Sequence, residues 1–169
     1  GTAIDGMGNI ITLEQGQSAK EIYYIATEAM SRGQYDVAAE NYRKIEADHP
    51  FSKYAQQSHM ELAFVEYKMA HWDTAIAIID RFIAMNNTSE LLSYAYYLRG
   101  LANFNRGKNF FSKVLPHVQI DKDPINIRNS YEDFKYIVKN YKNSTYTKDS
   151  LQRMLYLRNT LASYEIHVA

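Results

Sequence analysis

The residues of this chain that are able to do chemistry are scattered. The five histidines stand at 49, 59, 71, 117 and 167. No two are four apart, the spacing that sets a pair of zinc ligands on one helix face. His49 precedes Pro50 at an expected helix end, where a cationic ring favours the helix dipole, so capping is its expected role. Asp121 and Asp123 bracket a lysine ahead of Pro124 and suggest the start of a calcium loop. The glycine such a loop needs at its sixth position is missing, which leaves a cap and turn before a helix. There is no cysteine, which excludes disulfides, thiolate metal sites and a cysteine nucleophile. No Ser-His-Asp arrangement and no glycine-rich phosphate loop can be drawn. Asn86, Asn87 and Asn143 begin Asn-x-Ser/Thr triplets, which are common by chance. The expectation is a protein with no catalytic residue, no metal and no cofactor.

What remains to explain is an excess of aromatic surface. The chain has 15 tyrosines among 169 residues. A core seldom needs so many, because each buried phenol must find a partner for its hydroxyl. Such residues suit a surface that meets an amphipathic partner; a residue bias of the source genome is the plainer explanation. Lys plus Arg and Asp plus Glu are both 19, so no net charge steers the protein toward nucleic acid. No apolar run reaches the roughly 18 residues of a membrane span. Only 3 prolines and 7 glycines are present, too few for a sandwich of many turns. The remaining option is a chain built of helices.

The helices come in a repeating order. Residues 1–18 hold four glycines and no helical period, and read as a flexible N-terminal tail. Ser18 is a candidate N-cap, with Glu21 three residues on. The spacing predicts helices over 19–31 and 36–48, turned at Gly33 and stopped by Pro50. A step of 37 residues carries Ala26 to Ala63, Tyr35 to Trp72, Ala38 to Ala75 and Ile45 to Phe82; a second step carries Ala63 to Gly100 and Ala70 to Gly107. The small residues allow close helix crossing, the aromatics plug the wedge between hairpins, and Gly33 and Gly107 are expected turn glycines. The stretch "HPFSKYAQQS" at 49–58 returns as "YKNSTYTKDS" at 141–150 and marks equivalent joints between repeats.

This pattern resembles the tetratricopeptide repeat. The expected fold is all-α, a right-handed superhelix of antiparallel helix hairpins with about three and a half repeats. They span 19–52, 56–89, 93–142 with an insertion at 108–124, and a half-repeat at 147–169. The half-repeat would leave Met154, Leu155, Leu157 and Leu161 uncovered, so the chain is expected to continue. In this architecture the first helices line a concave face. The register places Tyr23 and Thr27, then Gln57, Phe64 and Tyr67, then Tyr94, Tyr97 and Phe104 there, with Met30, Met60 and Leu101 among them. Those eight residues are the candidate peptide-binding set, because aromatic side chains give large contact area with few rotors to freeze.

Several stretches sharpen the likeness. "HPFSKYAQQS", "AIIDRFIAMN", "YLRGLANF", "DKDP", "FKYIVKNYKNSTYTKDSLQRMLYLRNTLASYE" and "YEIHVA" occur in an order that resembles the BamD (ComL) family of outer-membrane assembly lipoproteins. The resemblance covers about residues 19–169. It implies a non-catalytic subunit of the barrel-assembly machinery on the periplasmic face of the Gram-negative outer membrane. Implied partners are the barrel-forming central subunit, other accessory lipoproteins and the C-terminal segments of unfolded outer-membrane proteins. The family's acylated N-terminal cysteine, its membrane anchor, is absent from this sequence. Two other readings stand beside this one: a generic repeat adaptor for a soluble partner, and the substrate domain of an enzyme.

Overall fold

The computed structural model describes residues 2–4, 6–12, 17–114 and 125–168. Seven helices occur among them: α1 (Ala19–Ser31), α2 (Tyr35–Asp48), α3 (Ala55–Lys68), α4 (Trp72–Met85), α5 (Leu92–Val114), α6 (Ile125–Asn140) and α7 (Thr147–Val168). Ahead of them, β1 (Thr2–Ile4) pairs antiparallel with β2 (Ile10–Thr12) in the register Thr2 to Thr12 and Ile4 to Ile10. Gly8 takes a left-handed φ of 82° between the strands. A short hairpin thus lies in the stretch read from sequence as a tail.

The chain divides into two compact units, residues 1–59 and 60–169. In the first, the Ser18 hydroxyl accepts from the Glu21 amide at 3.3 Å and starts α1. α1 and α2 then pack face to face. Their buried residues are Ile22, Ala26 and Ala29 of α1 and Ala38, Ala39, Tyr42 and Ile45 of α2. Alanines at the crossing let the two backbones approach, while Tyr42 and Ile45 supply the apolar area, each contributing about 1.5–3 kcal/mol.

In the second unit one cluster joins Met60 and Ala63 of α3, Ile79 and Phe82 of α4, and Leu92, Ala95 and Leu98 of α5. A second joins Ile127, Phe134 and Ile137 of α6 with Leu157 of α7. Phe134 lies where α5 offers no side chain: a Cβ on Gly100 would stand 2.8 Å from its ring. Beside that crossing the Ser130 hydroxyl donates to the Gly100 carbonyl at 2.8 Å.

A polar clamp ties three helices of this unit. Arg99 of α5 donates through Nη2 and Nε to Asp133 of α6 at 2.7 and 3.1 Å, and through Nη1 to Asp80 of α4 at 2.8 Å. Asn103 adds a bond to Asp133 at 3.3 Å. Burial pushes the Asp133 carboxyl up, and the guanidinium pulls the other way. Burial also works against the Arg99 charge, but the bonds to Asp133 and Asp80 outweigh it and hold the guanidinium above its ordinary pKa.

Three expectations need correction. The expected turn at Gly107 and insertion from 108 would end α5 just before that glycine. The helix continues to Val114, and Gly107 is buried inside it. The absent side chain serves packing: a Cβ there would stand 2.8 Å from Ile127 Cδ1. Residues 108–114 of the expected insertion are therefore helical, and 115–124 lie outside the described residues. Met60, placed on the concave row, is fully buried in the core. Of the four residues expected on an uncovered face of α7, Leu157 is buried, Met154 and Leu161 pack beside it, and Leu155 is exposed.

Candidate functional site

The joints between repeats position the aromatic residues, and their backbone bonds recur. Ser52 N donates to His49 O, Ala55 N to Ser52 O and Ser58 N to Tyr54 O. The same three bonds occur at Ser144 to Tyr141, Thr147 to Ser144 and Ser150 to Tyr146, and again at Ser89 to Asn86, Leu92 to Ser89 and Ala95 to Leu91. Sequence alone revealed two of the three joints, because the middle one keeps only its serine. Two of the joints deliver a tyrosine onto the preceding first helix, and the middle one delivers a leucine to the core. Tyr54 meets Tyr23 with ring centroids 5.1 Å apart, and Tyr146 stacks on Tyr97 at 4.8 Å. Leu91 packs on the cluster around Met60. Tyr23, Met60 and Tyr97 are themselves one repeat step apart.

In the first unit, Tyr23, Thr27 and Gln57 are all half-buried. Tyr23 also meets the Tyr42 ring edge-on at 6.0 Å. The Thr27 hydroxyl donates to the Tyr23 carbonyl at 2.9 Å and lies 3.4 Å from the Tyr42 hydroxyl. Tyr23 and Thr27 thus share one face with Tyr54 and Tyr42.

In the second unit, Phe64, Tyr67 and Tyr94 lie half-buried at the margin of the α3–α4–α5 core. Tyr67 meets the Trp72 ring at 5.2 Å, and its hydroxyl accepts from Asn105 at 3.2 Å. Tyr94 and Tyr97 both reach Tyr146, and Tyr97 also meets Phe134 edge-on at 5.9 Å. Burial, then the Glu61 charge, raises the Tyr94 phenol far above its ordinary value. Burial, then the bond to Asp149, raises Tyr97. Both hydroxyls stay neutral at physiological pH, and Tyr97 spends its proton on Asp149 at 2.5 Å.

Asp149 Oδ2 also accepts from Arg153 Nε at 2.7 Å. The Tyr97 bond, with Arg153 beside it, lowers the Asp149 carboxyl below its ordinary value. The Arg153 guanidinium lies over the Phe134 ring at 6.0 Å. These residues line a cleft of about 250 Å³ with Phe104 of α5 and Gln152, Tyr156 and Leu157 of α7. Phe104 and Tyr156, both on its lining, touch edge-on with ring centroids 6.4 Å apart. Of the eight sequence candidates, only Phe104 lines this cleft, with Tyr97 behind it. Asp149, Arg153 and Tyr156 were missed, although their i, i+4, i+7 spacing puts them on one helix face.

No group of three or more acidic or histidine side chains that could hold a metal ion occurs among the described residues. None of the described helices is long and apolar enough to cross a membrane. Bonding and van der Waals recognition are what these groups can do: neutral phenol donors, flat apolar rings, and one guanidinium paired with the Asp149 carboxylate.

Comparison with known proteins follows the same lines. The first tetratricopeptide domain of Spaghetti (RPAP3), bound to an HSP90 peptide SRMEEVD, superposes with a TM-score of 0.63 at 16% identity, over 85% of this chain and 93% of that one. The first such domain of human RPAP3 gives 0.62 at 18%, over 87% and 94%. The fold is therefore tetratricopeptide-like. Among relatives, the outer membrane protein assembly factor BamD of Xylella fastidiosa is 34% identical over 92% of this chain and 53% of its own length. That of Neisseria meningitidis serogroup B is 34% identical over 93% and 59%, and that of Vibrio cholerae 30% over 88% and 62%. The chain thus spans just over half the length of these relatives. A family model described as "Outer membrane lipoprotein" (YfiO) matches residues 15–169, and the chain belongs to that family.

Proposed function

We propose that this chain is the recognition scaffold of a lipoprotein subunit that serves outer-membrane protein assembly from the periplasmic side. It is non-catalytic and receives the C-terminal segments of unfolded outer-membrane proteins. The observation that carries this reading is 34% identity, over 92% of the chain, to relatives named as assembly factors. The barrel-forming central subunit and the other accessory lipoproteins of that machinery are its proposed partners, with a lipid anchor holding the whole protein to the membrane. Tyr23, Thr27 and Gln57 in the first unit, and Phe64, Tyr67, Tyr94, Tyr97 and Phe104 in the second, are the proposed peptide contacts. In support, all eight are half-buried, so each keeps surface for a ligand while its rotamer is held. The same fold in RPAP3 is bound to a peptide. A generic adaptor draws only on that likeness, which speaks to the fold alone.

The test is titration of peptides with alternating apolar residues that end in Phe or Tyr. Tyr67→Ala and Tyr97→Ala each remove an aromatic whose burial is worth roughly 1.5–3 kcal/mol before the costs of association. Each is expected to weaken binding about tenfold or more while circular dichroism stays helical. Unchanged affinity across several such variants removes the assignment.

A further inference from the structure

We infer that the outer face of α6 and the joint after it rest on an anionic bilayer: Lys135, Lys139, Lys142 and Lys148 lie against phosphate headgroups, with Tyr136 at the headgroup level. The inference goes beyond the peptide-binding reading and uses none of its residues.

The charge of the chain is balanced overall but uneven along it. Lys plus Arg equals Asp plus Glu over 169 residues, yet between 125 and 148 five basic residues stand against two acidic ones. Of those two, Asp133 is buried and bonded to Arg99. Glu132 is exposed, and Arg128 stands four residues before it on the same face. The four lysines are all exposed. Lys135 lies over the Tyr131 ring at 5.9 Å, and none of the four forms an ion pair among the described residues. Lys44 and Arg106, exposed as well, meet Glu40 at 3.8 Å and Asp73 at 2.9 Å.

Helix stability does not account for these lysines. A cation in the last turn suits the helix dipole, which covers Lys139. Lys135 stands a turn earlier, and Lys148 is in the first turn of α7, where the dipole opposes it.

The helix makes the charges one surface. Lys135 and Lys139 are one turn apart, and Arg128 is seven residues before Lys135, so the three share a stripe. Ile127, Phe134 and Ile137 are buried on the opposite side of α6. Beside the stripe Tyr136 is 41% exposed, its ring held by Tyr96 at 4.2 Å and Tyr141 at 6.1 Å. Ile125, at the start of the helix, is exposed too. Lysines around a fixed amphipathic ring suit a layer of headgroups. Ammonium groups are point charges with no fork to match a particular carboxylate, so a field of phosphates fits them better than an acidic peptide. A membrane is the anionic surface that a member of an outer membrane lipoprotein family has at hand.

The experiment is cosedimentation of the 169-residue chain with vesicles of phosphatidylcholine alone, or of phosphatidylcholine and phosphatidylglycerol in equal parts. Partitioning is expected to favour the anionic vesicles about a hundredfold or more at low salt, and to fall as salt screens the charges. Lys139→Gln is expected to weaken it about fivefold. Lys135→Gln, Lys139→Gln and Lys142→Gln together are expected to remove most of the preference while circular dichroism stays helical. Lys20→Gln with Lys44→Gln, on the first unit, is expected to leave it unchanged. Equal binding to the two kinds of vesicle overturns the inference. A loss no greater for the α6 variant than for the Lys20 and Lys44 variant does the same. Lysine-dependent binding of a polyglutamate peptide without binding to anionic vesicles also overturns it, in favour of an acidic protein partner.

Discussion

Ala70 occupies, at φ 61°, the position that Gly33 occupies at φ 73° one repeat earlier. Both close a helix with the same pair of bonds. Gly33 N donates to Met30 O and Gln34 N to Ala29 O; Ala70 N donates to Tyr67 O and His71 N to Glu66 O. This is the Schellman arrangement, whose left-handed residue is usually glycine. Alanine there sets its Cβ against the carbonyl oxygen, at roughly 1 kcal/mol. Ala70→Gly is therefore expected to stabilise the protein by about 0.5–1 kcal/mol, and Gly33→Ala to destabilise it by a similar amount. Urea denaturation followed by circular dichroism reads both.

Two glycines inside α5 are expected to differ under the same substitution. Gly100→Ala drives a methyl into the buried Phe134 ring, 2.8 Å away. It is expected to destabilise by about 1–3 kcal/mol. Gly107→Ala meets Ile127 at Cδ1 and Cγ1, 2.8 and 3.1 Å away, against which alanine gains about 1 kcal/mol in helix propensity. It is expected to be close to neutral. Thermal melts of the two variants side by side check the contrast.

The clamp on Arg99 is unequal in its two arms. Asp133 is 6% exposed and Asp80 is 56% exposed. Removing the arginine leaves Asp133 as an unpaired buried charge, so Arg99→Ala is expected to destabilise by about 3–5 kcal/mol. Asp80→Ala breaks an exposed pair and is expected to lose less than about 1 kcal/mol. Equal effects in denaturant titrations would remove the distinction.

The buried joint serines offer a gain. Ser58 Oγ and Ser150 Oγ are buried with no hydrogen-bond partner among the described residues. The equivalent position of the middle joint is Ala95, fully buried. Ser150→Ala removes an unpaired hydroxyl and is expected to leave stability unchanged or raise it by up to about 1 kcal/mol. A fall in melting temperature of several degrees would contradict this.

Acid should weaken the contact between Tyr97 and α7. The Asp149 carboxyl is lower in the folded chain than in the unfolded one, first because of the Tyr97 hydroxyl. The folded state then binds fewer protons, so this contribution is complete above the ordinary carboxylate value. It is lost as pH falls through the lowered folded value. Asp149→Asn is expected to lower stability at pH 6 and to flatten the decline that wild type shows as pH falls below the ordinary carboxylate value. Melts across that range, with wild type as reference, provide the check.

Much of the fold was legible because its signals are local. Ser18, Pro50 and the small-residue slots mark helix ends and crossings within a few residues, and α1, α6 and α7 begin where capping and periodicity place them. The 37-residue step and the echo at 141–150 located equivalent joints for the same reason: each joint is held by its own backbone bonds. Helical spacing assigned the eight candidate contacts to one row of the first helices; their half-burial was added by the structure.

What the tertiary structure decided lies between helices. Gly107 reads equally as a turn or as a gap for a neighbour, and only the approach of Ile127 makes it the second. Met60 and Tyr97 share a repeat position, yet one is sealed in the core and the other reaches Asp149. The cleft needs Phe104, Phe134 and Arg153 from three helices, a meeting set by how ridges cross rather than by spacing along any one of them. Periodicity assigns a side chain to a face; close packing against a distant part of the chain determines what that face meets.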